Sequence, residues 1–126
     1  MSKYGGKNFF SSVNFAFRGL KLVVKSQKNF RRQIFSGIFI LILAWILKFS
    51  YIEYCILLLV ISFILVCEMF NSVFEFTLDA YTKNKYSKLV EMAKDIAAGS
   101  VLTATIFSSF IGFILFINKI YILFIK

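Results

Sequence analysis

The sequence predicts an all-α integral membrane protein, with an N-terminal amphipathic surface helix followed by three transmembrane helices. Three observations predict it. Of the 126 residues, 60% are hydrophobic, against roughly 45–50% in soluble domains, and the mean hydropathy is +0.80. Three long apolar runs follow one another, separated by short polar segments. The chain has no proline, and neither an internal repeat nor a low-complexity tract interrupts it. Its length fits one domain, residues 1–126.

The elements follow in order. Residues 1–32 form the surface segment, with Gly5-Gly6 as a flexible start. From residue 7 onward, Phe9, Val13, Ala16, Phe17, Leu20, Val23 and Val24 share one helix face, and Lys7, Asn14, Arg18, Lys21, Lys25 and Lys28 share the opposite one. An apolar face against a basic face is the pattern of a helix lying in a membrane interface. The first span, residues 33–48, centres on IFSGIFILILAWIL. It is shorter than the ~20 residues a bilayer asks for, and Arg31, Arg32 and Lys48 can reach the headgroups by snorkelling. The segment KFSYIE makes a brief turn. The second span, 54–80, opens with YCILLLVISFILVC and keeps its helical period beyond Glu68. YTKNKYSK is a polar loop. The third span covers 89–118, with IYILFIK as a tail.

The formal net charge of +9 belongs to this membrane setting rather than to nucleic acid, because no nucleic-acid reader module is present. Eight Lys/Arg precede the first span, Lys48 alone lies between the first two, and Lys83, Lys85, Lys88 and Lys94 lie between the last two. Basic residues concentrate on the cytoplasmic side. The N-terminus and the second loop are therefore expected in the cytoplasm, with the first loop, Lys119 and Lys126 outside. Cys55 and Cys67 are too far apart along one helix for a disulfide and are expected as buried free thiols. There is no histidine, which removes histidine bases, triads and metal sites.

One feature does not fit a plain membrane bundle. Five of the six acids lie between Glu68 and Asp95. On a helix, Glu68, Asn71, Glu75 and Asp79 fall in one stripe about 80° wide at 100° per residue. Such a stripe must face protein, water or a cation rather than lipid. On the third helix, Lys94 and Asp95 open an otherwise uncharged segment, followed by the small residues AAGS. Carboxylates with an amide and a lysine can hold Mg²⁺ beside phosphates, take a proton from a hydroxyl and offset phosphate charge, which are the parts of phosphoryl transfer. The same set suits a proton or ion relay, or a structural ion-pair network. No GxxxxGK[ST] loop, Gly-rich kinase loop or HRD motif is present, so neither common kinase scaffold is available.

The pattern E-x-x-N-S-x-x-E-x-x-x-D (Glu68, Asn71, Ser72, Glu75, Asp79), a polar loop, then A-K-D-x-A-A-G-x-V-L (Ala93 to Leu102), with F-A-F-R-G-L near the start, resembles the prokaryotic diacylglycerol kinase family over nearly the whole chain. The form MAKDIAAGSVL is closer to its undecaprenol kinase branch. The resemblance implies a homotrimeric helical bundle in the bacterial inner membrane, with active sites between subunits at the cytoplasmic face. It implies an ATP-dependent lipid kinase that uses Mg²⁺ and passes the γ-phosphate to the hydroxyl of undecaprenol, with diacylglycerol as the alternative lipid. By motif position, Glu68 is the catalytic base and Glu75 a metal ligand. Asn71 and Asp79 support the site, and Lys94 and Asp95 contact the nucleotide phosphates. Asn14, Phe15 and Arg18 on the surface helix cover the nucleotide and headgroup.

The chain departs from the family at Gln27, where a metal-sharing glutamate is usual. A glutamine carbonyl still ligates a hard cation, but it is neutral and weaker. Tyr86-Ser87 stands where the family often has a histidine. A reading from another class is a non-catalytic small membrane protein, holin-like or an accessory subunit, whose charges serve topology alone.

Overall fold

The computed structural model describes residues 8–125. Gly5, Gly6, Lys7 and Lys126 therefore lie outside the described residues. Four helices follow in order: α1 (Phe9–Ser26), α2 (Lys28–Ile46), α3 (Tyr51–Thr82) and α4 (Lys88–Phe124). The last three are long and apolar enough to cross a membrane.

The expected single helix over 7–32 breaks at Gln27, whose backbone is extended (φ −110°, ψ 108°). The sequence offers no Gly or Pro there. In one continuous helix Lys21, Lys25, Lys28 and Arg32 would line up at spacings of three and four, where like charges repel. The break relieves that alignment, and the Arg31 guanidinium satisfies α1's freed end by donating to the Val24 (2.8 Å) and Lys25 (2.9 Å) carbonyls. The first span thus starts at Lys28, five residues earlier than expected.

The turn between α2 and α3 is tightly specified. Lys48 takes the left-handed conformation (φ 59°), and the Phe49 N–H donates to Ala44 O while the Lys48 N–H donates to Trp45 O, a Schellman closure. Ser50 then starts α3 with a reciprocal cap. Its hydroxyl accepts from the Glu53 N–H (3.3 Å), and Glu53 Oε1 accepts from the Ser50 N–H (2.9 Å), each satisfying an otherwise orphaned donor.

Beyond residue 118 the expected tail is a correction: α4 stays helical through Phe124. Nothing in IYILFI breaks a helix, and Lys119 is anchored, reaching Glu53 at 2.8 Å while lying 5.7 Å over the Phe49 ring. Both charged side chains are largely buried. Around them Ala44, Phe49 and Leu57 form the small core, with Tyr54, Leu115 and Phe116 against it. Cys67 is half-buried, but Cys55 is exposed. The expectation of buried thiols fails for Cys55 because its face of α3 packs on no other helix. Lipid solvates apolar side chains, so few of them need burial here, and helix contacts rest on close packing instead.

α3 and α4 pair antiparallel, fixed at both ends. Glu53 meets Lys119 at one end and Asp79 meets Lys94 at the other. Twenty-six residues separate the two acids on α3 and 25 separate the two lysines on α4, so both pairs obey one register across ~39 Å. The buried residues of α4 are small (Ala97, Ala104 and Ser108), which lets α3 approach. α2 closes on α3 at Gly37, where an added Cβ would sit 2.9 Å from Ile61 Cγ2.

Gly37→Val should therefore destabilise the bundle by about 1–3 kcal/mol, the scale of overpacking. Ile61→Ala in the same chain should recover part of that loss, as read by detergent-titrated unfolding in micelles.

Candidate functional site

The site is built on one face of α3. Glu68 is 3% exposed and Asn71 9%, with Ser72 buried beside them. Glu75 and Asp79 are half-buried. The 3.6-residue period stacks them, so a stripe that begins among packed helices ends at the rim. Measured from Tyr51 at α3's start, Glu68 lies ~26 Å along the helix. That is close to the far boundary of a ~30 Å hydrocarbon core. Aromatic side chains mark both levels, with exposed Trp45, Tyr51 and Tyr121 at one end and Tyr81 and Tyr86 at the other, as interfacial belts do.

Two local contacts organise the stripe. Asn71 Nδ2 donates to Glu75 Oε1 at 3.5 Å. Ser72 returns its hydroxyl to the Glu68 carbonyl at 3.0 Å, which keeps it within its own helix. Asn71 Oδ1 is left buried with no partner, and no described residue hydrogen-bonds the Glu68 carboxylate. A buried unsatisfied oxygen costs about 1–3 kcal/mol. Keeping one beside a buried carboxylate suits a site that waits for a ligand.

At the rim, the Lys94 ammonium contacts the Asp79 carboxylate across α3 and α4. Both line a cavity of about 550 Å³ with Thr82, Asn84, Lys85, Tyr86, Ser87, Val90 and Glu91. Tyr86, exposed and outside the spans, has its hydroxyl pKa pushed up chiefly by a hydrogen bond to Glu91.

The remaining expected site residues stand apart within one subunit. Asp95 is exposed. Asn14, Phe15 and Arg18 are exposed on α1, where the Arg18 guanidinium lies 5.3 Å from the Phe15 ring centre. Gln27 is half-buried in the α1–α2 break and its side chain makes no cap bond. Among the described residues, no three His, Cys, Asp or Glu side chains gather as a metal cluster. The oxygen donors of Glu75 and the orphaned Asn71 Oδ1 nevertheless fit a hard cation. Mg²⁺ commonly takes one or two carboxylates and completes its shell with phosphates and water.

A profile of the family described as prokaryotic diacylglycerol kinase matches residues 14–116, a stretch that contains the whole stripe and the rim pair. The chain belongs to this family of lipid kinases. It is similar to the undecaprenol kinase of Bacillus subtilis (strain 168), 32% identical over 112 residues, 89% of this chain and 90% of the relative. It is also similar to the diacylglycerol kinase of Synechocystis sp. (strain ATCC 27184 / PCC 6803 / Kazusa), 30% identical over 83% of this chain but only 60% of that relative, so it spans less than two thirds of that relative's length. The diacylglycerol kinase of Helicobacter pylori (strain J99 / ATCC 700824) is 30% identical over 85% of this chain and 83% of the relative. This membrane kinase family performs ATP-dependent phosphoryl transfer to lipid, so the non-catalytic reading falls away.

Sequence reasoning gave Asp79 and Lys94 separate roles, one supporting the site and one contacting phosphate, and missed that they pair. The signal was present: a short loop between two long helices makes them antiparallel neighbours, which brings residues near 79 and 94 abreast. It likewise left Glu53 and Lys119 unpaired.

Asn71→Leu removes the orphaned oxygen at similar volume. It should stabilise the protein by about 1 kcal/mol while lowering phosphoryl transfer, as read by unfolding and kinase assays on the same preparation.

Proposed function

We propose that this lipid kinase transfers the γ-phosphate of ATP to the hydroxyl of undecaprenol, forming undecaprenyl phosphate at the cytoplasmic face of a bacterial inner membrane. The observation that carries this reading is Glu68: a carboxylate 3% exposed, without a hydrogen-bond partner among the described residues, toward one end of a helix long and apolar enough to span a membrane. The choice of a polyprenol draws on the MAKDIAAGSVL segment and on the relative matched over 90% of its length.

In this mechanism Glu68 accepts the hydroxyl proton. The lipid oxygen then forms its bond to the γ-phosphorus as the bond to the β-phosphate oxygen breaks and ADP leaves. Lys94 offsets phosphate charge, and Asn71 holds the stripe's geometry through Glu75. Glu75 and Asn71 Oδ1 would hold Mg²⁺, with the Gln27 carbonyl as a weaker contributor. The bound ion supplies charge neutralisation on the phosphates. Positioning and electrostatics carry most of such a reaction.

A homotrimer completes the site. One subunit leaves Asp95 exposed, and α1 carries Asn14, Phe15 and Arg18 outward. Sites shared between neighbouring subunits would put these residues to use. α1 lies in the interface with its apolar face down, and the basic loops hold the N-terminus and the site on the cytoplasmic side.

Glu68→Gln should lower kcat by roughly 10²–10⁴-fold, the scale of a lost general base, while nucleotide binding persists. Unchanged kcat would remove Glu68 from the chemistry. Separately, Gln27→Glu adds a charged oxygen donor and should lower the magnesium concentration for half-maximal activity. An unchanged magnesium titration would take residue 27 out of the metal shell.

A further inference from the structure

We infer that Asp79 is a placeholder for phosphate: it holds the Lys94 ammonium while the site is empty and yields it to an incoming polyphosphate, rather than binding the nucleotide itself. This rests on the reading of Lys94 as a phosphate ligand.

The geometry supports an exchangeable pair. Lys94 and Asp79 meet across α3 and α4, yet their side chains remain 36% and 44% exposed. Ion pairs that solvated are weak and readily replaced, unlike the Glu53–Lys119 pair, whose side chains are only 15% and 14% exposed. The contact lies on the wall of the 550 Å³ rim cavity, a volume within the range of ligand pockets. Carboxylate and phosphate oxygens offer an ammonium the same kind of charged acceptor, so one can stand in for the other.

Asp79 itself is poorly placed to bind a polyanion. Two anions in contact repel, and Asp79 sits in α3's last turn, where its own carbonyl already accepts from Lys83 and Asn84 and the helix end is negative. A carboxylate there needs a cation, and among the described residues Lys94 is the one it pairs with. When phosphate draws Lys94 away, Lys85 on the same cavity wall remains as a loop cation beside Asp79. The pair thus keeps Lys94 ordered at the mouth of the site between turnovers.

The test is nucleotide binding to the full-length protein in lipid nanodiscs, using the magnesium complex of adenylyl imidodiphosphate. Asp79→Asn removes the competitor and should tighten binding about two- to fivefold, the range expected for a partly exposed ion pair. Lys94→Met should weaken it. Unchanged or weaker binding by Asp79→Asn, with Lys94→Met still weakening, overturns the placeholder and leaves Lys94 as a ligand. Unchanged binding by Lys94→Met overturns both. A measurement on the unaltered chain guards against misfolded variants: on titrating the analogue, the Lys94 15Nζ and Asp79 13Cγ signals should shift together. A Lys94 shift without one at Asp79 contradicts the exchange.

Discussion

The constraint on which the rest depends is that a carboxylate in an apolar bundle must find a partner, a packed interior or water. This chain has six acids, and each meets that demand differently. Glu53 is paired and capped, Asp79 is paired, and Glu91 reaches Lys88 at 3.4 Å on the surface. Glu75 accepts from Asn71, and Asp95 faces outward. Among the described residues, Glu68 is the one acid that is enclosed without a hydrogen-bond or ion-pair partner. The group with the least satisfied surroundings is the one we propose as the proton acceptor.

The helix pair that encloses Glu68 is held by ion pairs rather than by a large core. Lysine–carboxylate contacts at the two ends of α3 and α4 share one register, and small residues on α4 permit close approach between them. The two contacts differ in burial. The distal pair is shielded and caps a turn, whereas the pair at the site is half open to solvent. Shielding suits a permanent fastening, and solvent access suits a contact that can be exchanged.

Much of this was legible in the sequence. The stripe on α3 could be read because the helical period alone places Glu68, Asn71, Glu75 and Asp79 on one face, and its burial follows from what lipid refuses. Other features depend on partners far along the chain. The break at Gln27 carries no Gly or Pro, and Arg31 stabilises it only once the chain has turned back on α1. The helical continuation to Phe124 depends in part on Lys119 meeting Glu53, 66 residues earlier. Asp95, adjacent to Lys94 in sequence, points elsewhere because neighbours on a helix differ by 100°, so a motif that names both cannot say which one meets α3.

We propose that this enclosed stripe serves a long-chain alcohol at the membrane edge. Its most direct test is competition between lipids: the protein in nanodiscs containing equal undecaprenol and diacylglycerol, supplied with magnesium and γ-labelled ATP. Undecaprenyl phosphate is expected as the main labelled product. Label in phosphatidic acid alone would contradict the proposal.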